Sequence, residues 1–137
     1  MQKIAMNYVV TKPHRSEYPN PITLNKGDPL VIGEKYQGPE GWDDWFFCTT
    51  PGQAGGWVPL QVIERLDDGT GRALEDYTAR ELDVDAGEML IGARTLNGWV
   101  WCERVSRDDA GWVPLRNLEA DGEGPIRDFV GGAYHEV

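Results

Sequence analysis

The sequence contains one pattern written twice, and this repeat constrains the fold more than any other feature. Trp45-Phe46-Phe47-Cys48 and Trp57-Val58-Pro59-Leu60 return about 55 residues further on as Trp99-Val100-Trp101-Cys102 and Trp112-Val113-Pro114-Leu115. Upstream, residues 26–31 line up with residues 86–91. The return of tryptophan and proline at matched spacing indicates an internal repeat. The 137-residue chain is therefore predicted to contain two similar units, each near the lower size limit for independent folding.

Both copies have the residue pattern of short β-strands. Runs of β-branched and aromatic residues end repeatedly at Gly, Asn, Asp or Pro, and helical periodicity is absent, so we expect an all-β protein. Asn97-Gly98 predicts a hairpin turn in which both residues have positive φ. Five strands are predicted in each copy, at residues 4–10, 28–35, 43–49, 56–60 and 61–64, and at residues 72–77, 88–95, 99–105, 111–115 and 117–119.

The strand pattern also predicts how the chain divides. Residues 1–66 are expected to form the first domain, which has the longer loops, and residues 72–119 the second. Residues 67–71 have the composition of a linker, and residues 120–137 form an acidic C-terminal tail. Each domain is expected to contain all five of its own strands.

Alternation along the third strand of each copy separates a core face from a face with aromatic rings. Val100 and Cys102 are predicted to point inward, and Phe46 and Cys48 do so in the first copy. The two cysteines hold matched positions inside strands, which favours buried unpaired thiols over a disulfide. The outward rings indicate a binding surface, unless they pack beneath the loops or against the sister copy. They are Trp99 and Trp101 in the second copy and Trp45 and Phe47 in the first.

The net charge of −10 makes nucleic acid and anionic membrane surfaces unfavourable partners, and favours basic ones. The alternative is that the charge serves only solubility. The first eight residues lack the apolar core of a signal peptide, and no apolar run approaches the ~20 residues that cross a bilayer. We therefore expect a cytoplasmic protein.

Residues suited to catalysis or metal binding are few. The chain has two histidines, His14 and His135, and two serines, Ser16 and Ser106, and nothing in the sequence orders them into a nucleophile and base. No Cys/His cluster has metal spacing. We predict no enzymatic activity, no cofactor and no metal site.

Four segments of the second copy resemble the motifs of the Src-homology-3 (SH3) domain, in order. Ala73-Leu74-Glu75-Asp76-Tyr77, Ala86-Gly87-Glu88, Trp99-Val100-Trp101-Cys102 and Gly111-Trp112-Val113-Pro114 resemble ALYDY, KGD, WWxA and GYIP. The first copy shares the resemblance through the repeat, and the whole chain resembles the tandem SH3 proteins of bacteria. The resemblance implies two five-stranded, partly open β-barrels in tandem, each with an aromatic groove that grips polyproline-II peptides.

The resemblance also implies which residues line the grooves. In the second copy they are Tyr77, Trp99, Trp112 and Pro114, beside an acidic loop with Glu81, Asp83 and Asp85. In the first copy they are Tyr8, as a looser counterpart of Tyr77, with Trp45, Trp57 and Pro59. Both copies depart from the family at one proline pocket, because Glu75, Asn117 and Val62 replace its tyrosines.

These observations lead to one functional hypothesis and two alternatives. The hypothesis is a non-enzymatic module that binds an extended, basic peptide, with or without proline, or a protein partner. The first alternative is a peptidoglycan-binding protein of the cell wall. The second is a structural unit whose grooves are filled by the sister domain, the tail or an oligomer partner. The oligomeric state stays open.

Overall fold

The computed structural model describes residues 5–121, so most of the predicted tail lies outside the described residues. Within this range the regular elements are β-strands and two 3₁₀ turns, Leu60–Val62 and Leu115–Asn117, which confirms the all-β class. None of the described residues forms a helix long and apolar enough to cross a membrane. The strands are β1 (Met6–Val10), β2 (Thr23–Leu24), β3 (Pro29–Lys35), β4 (Trp45–Thr49), β5 (Gly56–Pro59), β6 (Ile63–Arg65), β7 (Thr70–Ala73), β8 (Tyr77–Thr78), β9 (Met89–Leu96), β10 (Trp99–Arg104), β11 (Ala110–Pro114) and β12 (Leu118–Ala120).

These strands form two five-stranded antiparallel sheets and a pair. The first sheet has the order β11-β10-β9-β1-β12, the second has the order β5-β4-β3-β7-β6, and β2 pairs with β8. Neither five-stranded sheet closes on itself. The hairpin between β9 and β10 turns at Asn97-Gly98 with φ of 48° and 89°, as predicted.

The chain divides into two compact units at positions that differ from the predicted boundary. One unit, here called the split unit, contains the chain up to Ser16 and from Glu81 onward. The other, the inserted unit, is Glu17–Arg80. Strand β7 lies inside the inserted unit, although the sequence pattern placed its residues in the linker and the second domain. The reason is that β7 is hydrogen-bonded to β3 and β6 of the first copy.

The two copies therefore exchange their first strands. Strand β1 comes from the first copy but lies between β9 and β12 of the second. Tyr8 stands opposite Leu90 in this sheet, and Gly71 of β7 stands opposite Leu30 in the other. Leu30 and Leu90 are equivalent residues of the repeat, so Tyr8 and Gly71 occupy the same position in the two units.

Side-chain size matches the exchanged pairing. The ring of Tyr8 lies over Gly92, because a Cβ atom built on Gly92 would stand 2.5 Å from Tyr8 Cε2. In the inserted unit Ile32 replaces Gly92 and Gly71 replaces Tyr8, and a Cβ on Gly71 would stand 3.0 Å from Ile32 Cδ1. Without exchange, the large Tyr8 would face the large Ile32, and Gly71 would leave a gap beside Gly92. Overpacking and voids both destabilise a core, so these four residues favour exchange.

Each unit has its own apolar core. In the split unit the core consists of Tyr8, Val10, Leu82, Val84, Leu90, Val100, Cys102 and Val113. Both cysteines are buried and free, as expected. Burial raises the pKa of the Cys48 thiol to about 11 and the pKa of the Cys102 thiol to about 12. Neither thiol is therefore prepared to act as a nucleophile near neutral pH.

A buried arginine fixes the segment before β9 in the split unit. The Arg104 side chain is only 3% exposed and pairs with Glu88 and, at 3.2 Å, with Asp109. Its guanidinium also donates to the backbone oxygen of Asp83 at 2.7 Å. A buried charge is tolerated only when it is paired and hydrogen-bonded. This network therefore holds the acidic segment at residues 83–88 in one position.

The contact between Tyr8 and Gly92 gives a test by double substitution. Gly92→Ala is expected to destabilise the protein by about 1–3 kcal/mol, because its new methyl group meets the Tyr8 ring and Val100. In a Tyr8→Ala background the same change should cost at least ~1 kcal/mol less. Urea unfolding of the four proteins measures both values. An equal cost in the two backgrounds would show that Tyr8 does not lie over Gly92.

Candidate functional site

In the split unit, two loop arms from different copies, residues 11–16 and residues 81–85, lie side by side. His14 donates its backbone N–H to the oxygen of Val84 at 2.9 Å, and Val84 donates back to the oxygen of His14 at 3.0 Å. The second arm also contacts β11, where Leu82 donates to the oxygen of Trp112 at 3.0 Å. The strand exchange therefore brings residues 11–16 of the first copy beside the predicted groove residues of the second.

These arms place His14 against Trp99. The two rings meet edge to face, with centroids 5.5 Å apart and an interplanar angle of 78°. Trp99 is half-buried and stands opposite the buried Pro114 in the neighbouring strand. His14 Nε2 lies 2.8 Å from the Oε1 atom of Glu81. We call the surface formed by His14, Glu81 and Trp99, with the buried Pro114 supporting it in the neighbouring strand, the Trp99 groove.

Trp112 is part of the support beneath this surface rather than an open wall. It is only 5% exposed, and its ring packs edge to face on Trp101 with centroids 5.4 Å apart. The same pair occurs in the inserted unit as Phe47 and Trp57, at 5.3 Å. Such aromatic contacts fix ring positions and add to the burial energy.

The predicted acidic loop already has partners inside the split unit. Asp83 accepts a hydrogen bond from the backbone N–H of Ser16 at 2.8 Å, and Glu81 is bonded to His14. Asp85 pairs with Arg15 at 2.5 Å, and these side chains are 68% and 58% exposed. An ion pair this exposed contributes little to stability. The Arg15 guanidinium also donates to the backbone oxygens of His14 at 3.0 Å and Val84 at 2.8 Å.

Asn117 holds the exchanged segment at the position where the resemblance expects a tyrosine. Its Nδ2 atom donates to the oxygens of Lys12 at 3.2 Å and Pro13 at 3.1 Å, and its backbone oxygen accepts from Thr11 at 2.8 Å. In the inserted unit the corresponding residue is the fully buried Val62, which accepts from Leu74. Both residues hydrogen-bond to the segment that follows the exchanged first strand of their unit, instead of forming an open proline pocket.

The predicted groove residues of the inserted unit are less accessible than expected. Trp45 was expected to point into solvent but is only 6% exposed, and Pro59 is buried. Tyr77 is 8% exposed and donates its hydroxyl hydrogen to the oxygen of Trp57 at 2.9 Å. Tyr77 thus belongs to the inserted unit and contacts Trp57 there, whereas the sequence pattern grouped it with Trp99.

Tyr8 is not the counterpart of Tyr77, which corrects the sequence interpretation. Tyr8 belongs to the core of the split unit. Val10 donates its backbone N–H to Glu88 in the split unit, and Ala73 donates to Asp28 in the inserted unit, so Val10 and Ala73 hold equivalent positions. His14 lies four residues after Val10, and Tyr77 lies four residues after Ala73. His14 therefore holds the tyrosine position of the split unit. The local sequence gave no sign of this, because the residue type differs.

The structure also reveals an aromatic surface that the sequence pattern did not single out. Four rings of the inserted unit, Tyr36, Trp42, Phe47 and Trp57, contact one another in a chain, and we call this the Tyr36 cluster. Tyr36 lies 5.8 Å from Trp42 and 5.2 Å from Trp57 by ring centroids. Phe47 is 37% exposed, as predicted for an outward residue. Only the position of two rings beside the long turn at residues 37–41 hinted at this cluster.

Comparison with known proteins gives one match. Residues 8–66 match the family model described as the variant SH3 domain, which agrees with the resemblance seen in the first copy. No curated protein and no solved structure matches the chain. The match starts in the split unit and continues into the inserted unit. An SH3 domain indicates a protein-interaction module and is generally not catalytic.

The hydrogen bonds of Asn117 give a second test. Asn117→Ala should destabilise the protein by about 1–3 kcal/mol, because two backbone oxygens of the exchanged segment lose their donor. The neighbouring Leu115→Ala, at a residue 39% exposed, should change stability much less. Urea unfolding measures both, and hydrogen exchange of the Thr11 amide reports the local loss. Equal effects of the two substitutions would show that Asn117 does not hold the exchanged segment.

Proposed function

We propose that this protein is a non-enzymatic binding module with two SH3-like units, and that the Trp99 groove of the split unit binds an extended peptide or a peptide segment of a partner protein. The observation that carries the proposal is a half-buried tryptophan, Trp99, whose ring meets His14 edge to face and whose strand partner is the buried Pro114.

The chemistry of the groove suits an extended, proline-containing chain. Trp99 offers flat apolar surface beside the His14 ring, and the buried Pro114 supports it from the neighbouring strand. A polyproline-II segment fits such a surface at low entropy cost because its shape is preformed. His14 and Glu81 add a polar edge with hydrogen-bonding atoms. His14 in place of tyrosine makes this groove differ from the usual pattern, so we expect a non-standard peptide sequence.

Charge favours a basic ligand. Residues 5–16 and 81–121 carry nine Asp/Glu against six Lys/Arg, a formal net charge of −3. The exposed pair between Arg15 and Asp85 lies on the same loop arms as His14. A ligand arginine or lysine that replaces Arg15 gains the Asp85 carboxylate, and the negative field raises the rate of encounter with basic peptides.

The inserted unit favours the structural alternative for its own groove. Trp45 and Tyr77 are both less than a tenth exposed, and the Tyr77 hydroxyl group is bonded to the Trp57 oxygen. These contacts supply stability to the unit. We therefore assign peptide binding to the Trp99 groove and structural roles to Trp45, Tyr77 and Pro59.

The proposal predicts the effect of removing the central ring. Trp99→Ala should weaken binding of basic, proline-containing peptides by at least ~30-fold, because an aromatic anchor at the centre of an interface commonly contributes ~2 kcal/mol or more. Tyr18→Ala, at a 46% exposed aromatic residue of the inserted unit outside both proposed sites, is the matched control and should leave this binding unchanged. Titration of peptides selected from a basic, proline-containing library, followed by NMR of the tryptophan indole N–H groups, measures both.

Two results would reject this function. One is a library that yields no ligand while the protein sediments with purified cell-wall sacculi, which would support the peptidoglycan alternative. The other is a peptide that binds equally to the wild type and to Trp99→Ala, which would place the binding site elsewhere.

A further inference from the structure

The Tyr36 cluster of the inserted unit is an aromatic surface on an acidic background. We propose that it is a second binding site, separate from the Trp99 groove, and that it takes the cationic side chain of an arginine or lysine in a basic peptide. The inference combines the ring geometry, the charge of the surrounding segment and the closed shape of the turn at residues 37–41.

The ring geometry suits a cation. Trp57 meets both Tyr36 and Phe47 edge to face, at 86° and 78°, while Tyr36 and Trp42 are inclined by 40°. Trp57 and Trp42 are half-buried and Phe47 is 37% exposed, so the cluster is part of the surface of the unit. Ring faces carry negative charge density, and tryptophan attracts cations most strongly among the aromatic residues.

One carboxylate lies beside the rings, and the segment that carries two of the rings is acidic. Tyr36 donates its hydroxyl hydrogen to Glu40 Oε1 at 2.5 Å, which fixes one carboxylate directly beside the cluster. Residues 34–44 hold Glu34, Glu40, Asp43 and Asp44 against a single Lys35. The inserted unit as a whole has eleven Asp/Glu against five Lys/Arg, a formal net charge of −6. This charge selects a cationic side chain over an apolar one and over an anionic ligand.

The turn that carries Glu40 is held closed before any ligand arrives. A Cβ atom built on Gly38 would lie 2.1 Å from the Tyr36 hydroxyl oxygen and 2.4 Å from Glu40 Oε1, so the hydrogen bond passes directly over this glycine. Gly41 and Asp44 have φ of 71° and 64°, a conformation that favours glycine and asparagine or aspartate. A preformed site loses less conformational entropy on binding.

An acetylated, amidated pentapeptide with two arginines in a glycine background is the probe. NMR titration of the six tryptophan indole N–H groups should show shifts at Trp42 and Trp57. The same peptide with citrulline, which is neutral and almost the same shape, should bind at least about fivefold more weakly. Trp42→Ala should weaken binding of the arginine peptide by about threefold to tenfold.

Charge-matched variants separate a site from general attraction. Glu40→Gln keeps an acceptor for the Tyr36 hydroxyl group and should weaken binding at least about threefold. Asp68→Asn removes the same charge from an exposed position of the same unit and should have less than half that effect. Gly38→Ala, which displaces the Tyr36–Glu40 bond, should act like Glu40→Gln.

The outcomes distinguish this site from the Trp99 groove. Trp99→Ala should leave the shifts that the arginine probe causes at Trp42 and Trp57 unchanged, so the two proposals fail independently. The inference is overturned if the citrulline peptide binds equally well, if Asp68→Asn acts as strongly as Glu40→Gln, or if Trp42→Ala has no effect in a protein that unfolds with wild-type stability.

Discussion

The structure depends on where strand β1 pairs. Its Tyr8 ring fits over Gly92, and at the equivalent position in the other unit the Ile32 side chain lies beside Gly71. In both units a large side chain lies against a glycine, so the core has neither a steric clash nor a void. Pairing within each copy would produce a clash between Tyr8 and Ile32 and a void between Gly71 and Gly92. This difference is local, but it selects the partner of each first strand. The division into a split unit and an inserted unit follows from it.

The exchange also determines what each surface contains. Because β1 pairs with strands of the second copy, the loop segment that follows β1 places His14 beside Trp99. Tyr77 follows β7 in the chain and therefore lies in the inserted unit, where it contacts Trp57. Two copies that began as one pattern thus present different surfaces. One has an accessible tryptophan beside a histidine and a carboxylate, and the other has a closed groove with an acidic aromatic cluster next to it. The two proposed ligands also differ. The Trp99 groove recognises the extended shape of a peptide, and the Tyr36 cluster recognises mainly the positive charge of a side chain.

The sequence predicted the strands well and their partners poorly. Matched Trp, Pro and Cys positions are local signals, so the all-β class, the turn at Asn97-Gly98 and the buried cysteines followed from them. The choice between β9 and β3 as neighbours of β1 is not local, because the two strands carry the same alternating pattern and differ mainly at Gly92 and Ile32. For the same reason, the sequence analysis assigned Tyr8 to a groove as the counterpart of Tyr77 and did not assign His14 to one. Trp42 and Tyr36 were missed because the turn between them has no counterpart in the second copy.

Disulfide trapping tests the strand exchange most directly. Val9 stands opposite Glu119 in the structure, and the position equivalent to Val9 in the inserted unit stands opposite Glu64. The double variant Val9→Cys, Glu119→Cys should form an intramolecular disulfide on mild oxidation, while Val9→Cys, Glu64→Cys should stay reduced. The buried native thiols, with pKa values raised to about 11 and 12, should not compete. A disulfide in the Glu64 variant alone, or one that links two chains in the Glu119 variant, would contradict exchange within one molecule.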